Sequence, residues 1–309
     1  MLASAGRRPP DAPRPPGLCV AAAASPPELV IGYGAWWQVR PGKFRMDLLV
    51  ASQWRCKGVG SGLLGYVADR ARAAGAATLQ ARVDVGQAQP LAFLLARGFV
   101  ETMRMHRQVL QVADARLTAH EHLVTQLARR GIVIVSLEHE LARRTDSWEE
   151  YCRLYNAARE GWPDPDPGPG PGPVAPLTPS AFRRMYRAAE VEHRVGPAES
   201  FLAVQDDRYV GFTGAMGTAV DPAFRAQGIA TALKLRAVSS ARDHGLVTLY
   251  TSSGNPAMLR INEQLGFRRV STEIRLVRTL RAIGGDDADC RADPQIVPGR
   301  PGTPGTASP

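Results

Sequence analysis

The chain has 309 residues, 44% hydrophobic and 22% charged, with a formal net charge of +9. That length gives room for about two domains, and the composition is that of an ordinary globular protein. No apolar run reaches the roughly 18–20 residues that cross a bilayer. The four cysteines show no pairing pattern and the six histidines no ligand spacing, so disulfides and a metal site are both unexpected.

The positive charge comes mostly from arginines spread along the chain, without the basic, aromatic-interleaved stripe that tracks phosphates. Neither a nucleic-acid nor a membrane partner is expected. Residues 18–24 form a short apolar patch between proline clusters, poorly flanked for a secretion signal. A cytoplasmic protein with free thiols is the simpler reading.

In chain order, residues 1–28 are rich in Pro and Ala and are expected to be a disordered extension. Strands are predicted over 29–37 and 44–50, joined by the turn Arg40-Pro41-Gly42-Lys43. Val59, Leu63, Leu64, Val67 and Ala71 make the 3.6-residue stripe of a helix that Gly75 ends. A strand over 78–83, a helix over 90–96 closed by Gly98-Phe99, and a strand over 103–112 complete a first domain at 29–114. A connecting helix occupies 115–131. The second domain spans 132–282. It has a strand at 132–137, helices near 147–159 and 179–194, and a Pro/Gly loop at 163–176. A hairpin around Asp206-Asp207 follows, then a strand ending at Val220 and a helix over 229–244. A strand at 247–251, a helix at 256–264 and a last strand at 274–280 complete it, before a polar tail at 283–309 expected to be disordered. His244, late in its helix, reads as a capping residue.

One segment occurs twice. Val50 to Gly60 and Val220 to Ala230 both run from an apolar strand end through Arg-x-x-Gly-x-Gly/Ala into a long helix. The register holds beyond the loop, pairing Leu63 with Leu233, Ala71 with Ala241, Gly75 with Gly245 and Leu79 with Leu249. Small residues at a strand-to-helix turn let the backbone approach a ligand, and the unpaired N–H groups of the first helical turn suit an anion. Arg55, Lys57 and Arg225 add charge at its edge. The lysine of a P-loop is absent at Gly60-Ser61 and Ala230-Thr231, and neither copy has a full dinucleotide fingerprint.

With these loops, the helix–Gly75 and helix–Gly245 pattern, and the Gly98-Phe99 and Gly266-Phe267 endings, both halves resemble the GNAT superfamily of acyl-CoA-dependent N-acetyltransferases. The tandem layout is similar to that of mycothiol synthase-like proteins. The resemblance implies an α/β (α+β) fold: two GNAT-like domains with mixed, mostly antiparallel sheets, the first lacking its opening strand and two helices. It also implies acetyl-CoA as co-substrate. Backbone groups at Val50 and Val220 would bind the pantetheine arm. The N–H groups of Arg55, Cys56, Lys57, Gly58, Val59 and Gly60, and of Arg225, Ala226, Gln227, Gly228, Ile229 and Ala230, would hold the pyrophosphate. Asn255 matches a position near the thiol arm, where the first half has Gln87.

The tyrosine that many members place four residues before Gly-Phe is replaced here by Leu94 and Asn262. Asn262 could donate a hydrogen bond, and Asp47 could act as a base on the first half's central strand; neither is a secure catalytic residue. Gly211 precedes Val220 by nine residues, whereas Gly32 precedes Val50 by eighteen. The second hairpin must be tight or its central strand short. The expected activity is acetyl transfer to a primary amine of a small molecule, or of a protein, with the second half favoured as the active one. The alternative is a non-catalytic acyl-CoA-binding or scaffold protein.

Overall fold

A computed structural model describes residues 17–22, 29–118, 121–159, 175–280 and 296–298. The chain divides into two compact units, Met1–Met103 with Glu273–Pro309, and Arg104–Asp164 with Val174–Thr272. The loop at 163–176 lies outside the described residues except for its last two positions, as do residues 1–16 and 23–28 of the N-terminal extension and most of the tail.

The first unit is built on β1 (Gly17–Ala22), β2 (Val30–Arg40), β3 (Lys43–Val50) and β4 (Thr78–Asp84). β2 pairs antiparallel with β1 and with β3, and β3 pairs parallel with β4. Helix α1 (Val59–Ala73) covers one face, and its predicted stripe of Val59, Leu63, Leu64, Val67 and Ala71 is buried there against Cys19, Ile31, Phe44 and Met46. Helix α2 (Ala88–Leu95) adds Leu94 to the same core. The opening strand expected to be missing is therefore present. Residues 17–22, read as part of a disordered extension, form β1, with Cys19 and Ala21 fully buried. Residues 18–22 of the apolar patch are strand, too short to be recognised between its prolines. The tail also contributes: β12 (Ile296–Pro298) pairs antiparallel with β1, inside the segment 283–309 read as disordered.

The second unit begins within β5 (Val100–Gln111) and continues through α3 (Glu121–Arg129), β6 (Val133–Ser136), α4 (Leu137–Arg143), α5 (Ser147–Arg159) and α6 (Pro179–His193). β7 (Phe201–Gln205), β8 (Arg208–Gly214) and β9 (Gly217–Val220) join β6 in an antiparallel sheet of order β6-β7-β8-β9. α5 and α6 pack a cluster of aromatics, Tyr151, Tyr155, Phe182 and Tyr186, against Phe212 of β8. Helix α7 (Ile229–Asp243) covers the other face through Ile229, Ala232 and Leu233. β10 (Thr248–Ser253) and α8 (Pro256–Gln264) follow. The hairpin β8–β9 is as tight as the spacing requires, with Gly214 opposite Gly217 and both at positive φ. β9 has also lost length, with four residues where β3 has eight. His244 is the C-cap of α7, its Nδ1 2.7 Å from the Ser240 carbonyl oxygen.

The closing strands are exchanged between the halves of the sequence. Residues 106–111 of β5, at the end of the first repeat, pair antiparallel with β10 in the second unit. Residues 273–279 of β11 (Arg268–Thr279), at the end of the second repeat, pair antiparallel with β4 in the first. Ile274 and Leu276 are fully buried in the core of the first unit.

Candidate functional site

The two repeated loops fold alike. Residues 52–54 and 222–224 form one 3-10 turn each, and Arg55 and Arg225 are extended at φ −69° and −66°. Cys56 and Ala226 follow in the left-handed region at φ 58° and 60°, then Gly58 and Gly228 at 83°. A left-handed conformation costs a non-glycine residue about 1–2 kcal/mol. Finding it twice at one loop position marks a shape that the surrounding structure imposes. Gly58 and Gly228 are the N-caps of α1 and α7, and among the described residues no side chain caps either helix. The first-turn N–H groups thus face outward at the positive end of each helix dipole.

The arginine has a structural task. Arg55 Nε donates to the Val50 carbonyl at 3.3 Å, and Arg225 Nε donates to the Val220 carbonyl at the same distance. Each pins its loop to the end of the strand that feeds it. Arg225 also reaches the Ala158 carbonyl with Nη2 at 3.4 Å.

The surroundings differ. In the first unit Gly58 faces open space, and Lys57 lies over the Trp54 ring at 5.1 Å. Arg97 donates to Ser61 Oγ at 2.7 Å, close to the start of α1. In the second unit Gln227 replaces Lys57, and its Oε1 accepts from Arg130, beyond the end of α3. Leu123 of α3 lies beside Gly228. Asp221, where the first copy has Ala51, is buried and accepts from the Ala223 N–H at 3.1 Å, with Arg208 Nη2 at 3.1 Å and Arg153 Nη1 at 3.5 Å. Burial alone would raise its carboxyl pKa; these donors outweigh burial and hold it below the ordinary value.

Each loop stands at the mouth of a gap between strands. β3 and β4 pair over 43–45 and 78–80 and then part, leaving the inner edge of 46–50 without partners from β4. In the second unit β9 is the edge of its sheet and β10 pairs with β5 in the other sheet, so no ladder joins β9 to β10. Backbone N–H and C=O groups on such edges can receive an extended ligand as an added strand.

Asn255 is the N-cap of α8, its Oδ1 accepting from Ala257 N at 2.9 Å. Gln87 holds the equivalent place before α2 without capping through its side chain. Asn262 is fully buried and donates through Nδ2 to Gln108 Oε1 at 2.8 Å. Asp47 is exposed on β3 in the first unit. Asp47 and Asn262 belong to different units. Sequence reasoning missed Lys234, half-buried on α7, 3.4 Å from Thr251 Oγ1 of β10 and over the Phe267 ring. Burial pushes its pKa down to about 8. Its signal was a lysine between Leu233 and Leu235 on a buried helix.

Residues 5–99 and 148–267 match the acetyltransferase (GNAT) family. The chain belongs to that family. Its two GNAT regions correspond to the two repeats, and the family supports acyl transfer as the general activity. A mycothiol acetyltransferase of Thermomonospora curvata is 34% identical over 100 residues, which are 28% of this chain and 34% of that protein. The match thus spans about a third of that relative. A GCN5-related N-acetyltransferase from Sphaerobacter thermophilus has a TM-score of 0.61 at 15% identity, over 86% of this chain and 81% of its own. A tandem GNAT protein from the clavulanic acid biosynthesis pathway has a TM-score of 0.55 at 20% identity, over 88% and 86%. These likenesses establish a tandem GNAT fold. Among the described residues no helix is long and apolar enough to cross a membrane.

Proposed function

We propose that this GNAT protein transfers the acetyl group of acetyl-CoA to a primary amine of a small molecule, in its second unit. The observation that carries the reading is the shared backbone of the two loops, each an uncapped helix start behind a left-handed residue and a left-handed glycine. That shape suits a pyrophosphate. The gap between β9 and β10 would take the pantetheine arm, with amides bound to the backbone at Val220. The amine nitrogen would attack the thioester carbon, forming C–N as C–S breaks, and the thiolate would leave as CoA. Holding amine and thioester together would supply much of the acceleration. The attacking amine must be neutral. Lys234 is the candidate for receiving its proton, since an amine of pKa about 8 is partly neutral at physiological pH.

A binding-only reading draws on the buried Leu94 and Asn262 where many relatives carry a tyrosine acid. Two measurements separate the readings. Acetyl-CoA should slow amide exchange across 225–230, and CoA thiol should be released when amines are added. Protection without thiol release across a broad amine panel would leave the binding-only reading, and no protection at either loop would sink both.

A further inference from the structure

On β3, Phe44 and Met46 point into the core beneath α1, so the alternation of the strand turns Arg45 and Asp47 to the opposite face. Arg82 of β4 and Arg275 of β11 are directly opposed in the β4–β11 ladder, and Arg45 is paired with Gln80 on the other side of β4. Arg45, Gln80, Arg82, Arg275 and Val277 line one small pocket of the first unit. Like charges directly opposed across a ladder repel. Here Arg82 and Arg275 approach the same oxygen, Glu273 Oε1, at 3.6 and 3.4 Å. Arg45 lies 6.0 Å from the Trp37 ring centroid, and its buried Nε has no hydrogen-bond partner among the described residues. Burial, and then the fields of Arg82 and Arg275, lower its pKa to about 10, against the opposing pull of Glu273 and Asp47.

Three guanidiniums thus line one small pocket, two of them held on the same Glu273 oxygen. Like charges held this close are costly, and an anion drawn into the pocket between the guanidiniums would offset their repulsion. We propose that Arg45, Arg82 and Arg275 form a binding site for one anionic group, a carboxylate or a phosphate ester, carried by a small molecule. The pocket sits where β3 and β4 part, since Arg45 and Gln80 are the last residues paired between them. Under the acyl-transfer reading the anion is the acid group of a compound bound at the first unit's gap. The test reads the anion site whether or not that reading stands.

The full chain is unfolded thermally at fixed ionic strength, with chloride replaced stepwise by acetate or by inorganic phosphate. A saturable rise in Tm with at least one of them is expected in the millimolar range. Acetate alone would mark a carboxylate site, and phosphate alone a phosphate-ester site. Arg45→Met and Arg275→Gln should each remove most of that rise. Arg45→Met should fold at least as well without the anion, because it removes an unsatisfied buried donor. Should Arg45→Met fail to fold, Arg275→Gln decides the question. No saturable rise with either anion overturns the site. So does a rise undiminished in a folded variant, which would place the anion elsewhere, at the loops for example.

Discussion

Single residues carry the strongest electrostatic signals. Lys234 is held at a pKa of about 8 by burial, below the roughly 10.4 of an unfolded chain. Between these values the unfolded state binds more protons, so stability should rise as pH climbs from about 8 to about 10. Below pH 8 the fold bears the full penalty of a buried ammonium. Lys234→Met should therefore raise stability at pH 7 by at most about 3 kcal/mol, and the gain should fade towards pH 10. Denaturant unfolding at both pH values checks this, and an equal gain at each would contradict it. The same variant should lose acetyl transfer if Lys234 receives the proton. Asp47 and Asn262 were visible in the sequence as chemical types, but their environments were not. One lies exposed on a strand and the other is buried on Gln108.

At the scale of elements, periodicity was a sound guide where one face is buried. The stripe of α1 lies in its core where the spacing predicts. β1 escaped because six residues between prolines carry too few alternations to read. α4 escaped because residues 132–137 read as one apolar strand, whereas the structure starts a helix at Leu137. Its signal was present: Ser136 accepts from the His139 N–H at 3.1 Å as N-cap, with Glu138 and Glu140 in the first turn. The loops make a paired prediction. Gly58→Ala meets no neighbour, so it should cost only the left-handed penalty of about 1–2 kcal/mol. Gly228→Ala meets Leu123 at 3.3 Å as well and should cost more. Gly228→Ala should weaken acetyl-CoA protection across 225–230, and Gly58→Ala should leave that protection unchanged. Equal costs in unfolding experiments, or loss of protection at the other loop, would show that the copies are not built as described.

For the whole molecule, the exchange of closing strands governs what can fold. The first unit needs β11 beside β4, and the second needs β5 beside β10. Cut between residues 114 and 115, neither half retains the strand that closes its own unit. The fragments 1–114 and 115–309 should therefore be poorly folded when expressed apart and should recover structure when co-expressed, as judged by amide protection in β4 and β10. Two independently cooperative fragments would refute this. The sequence by itself determined the repeat, the loop type, most of the helices and the family, because local periodicity and glycine placement leave a direct trace in the order of residues. Only the tertiary structure decided which strand closes which unit, where Lys234 is buried and that Arg45, Arg82 and Arg275 share a pocket. Those are contacts between residues far apart in the chain, and no local pattern encodes them.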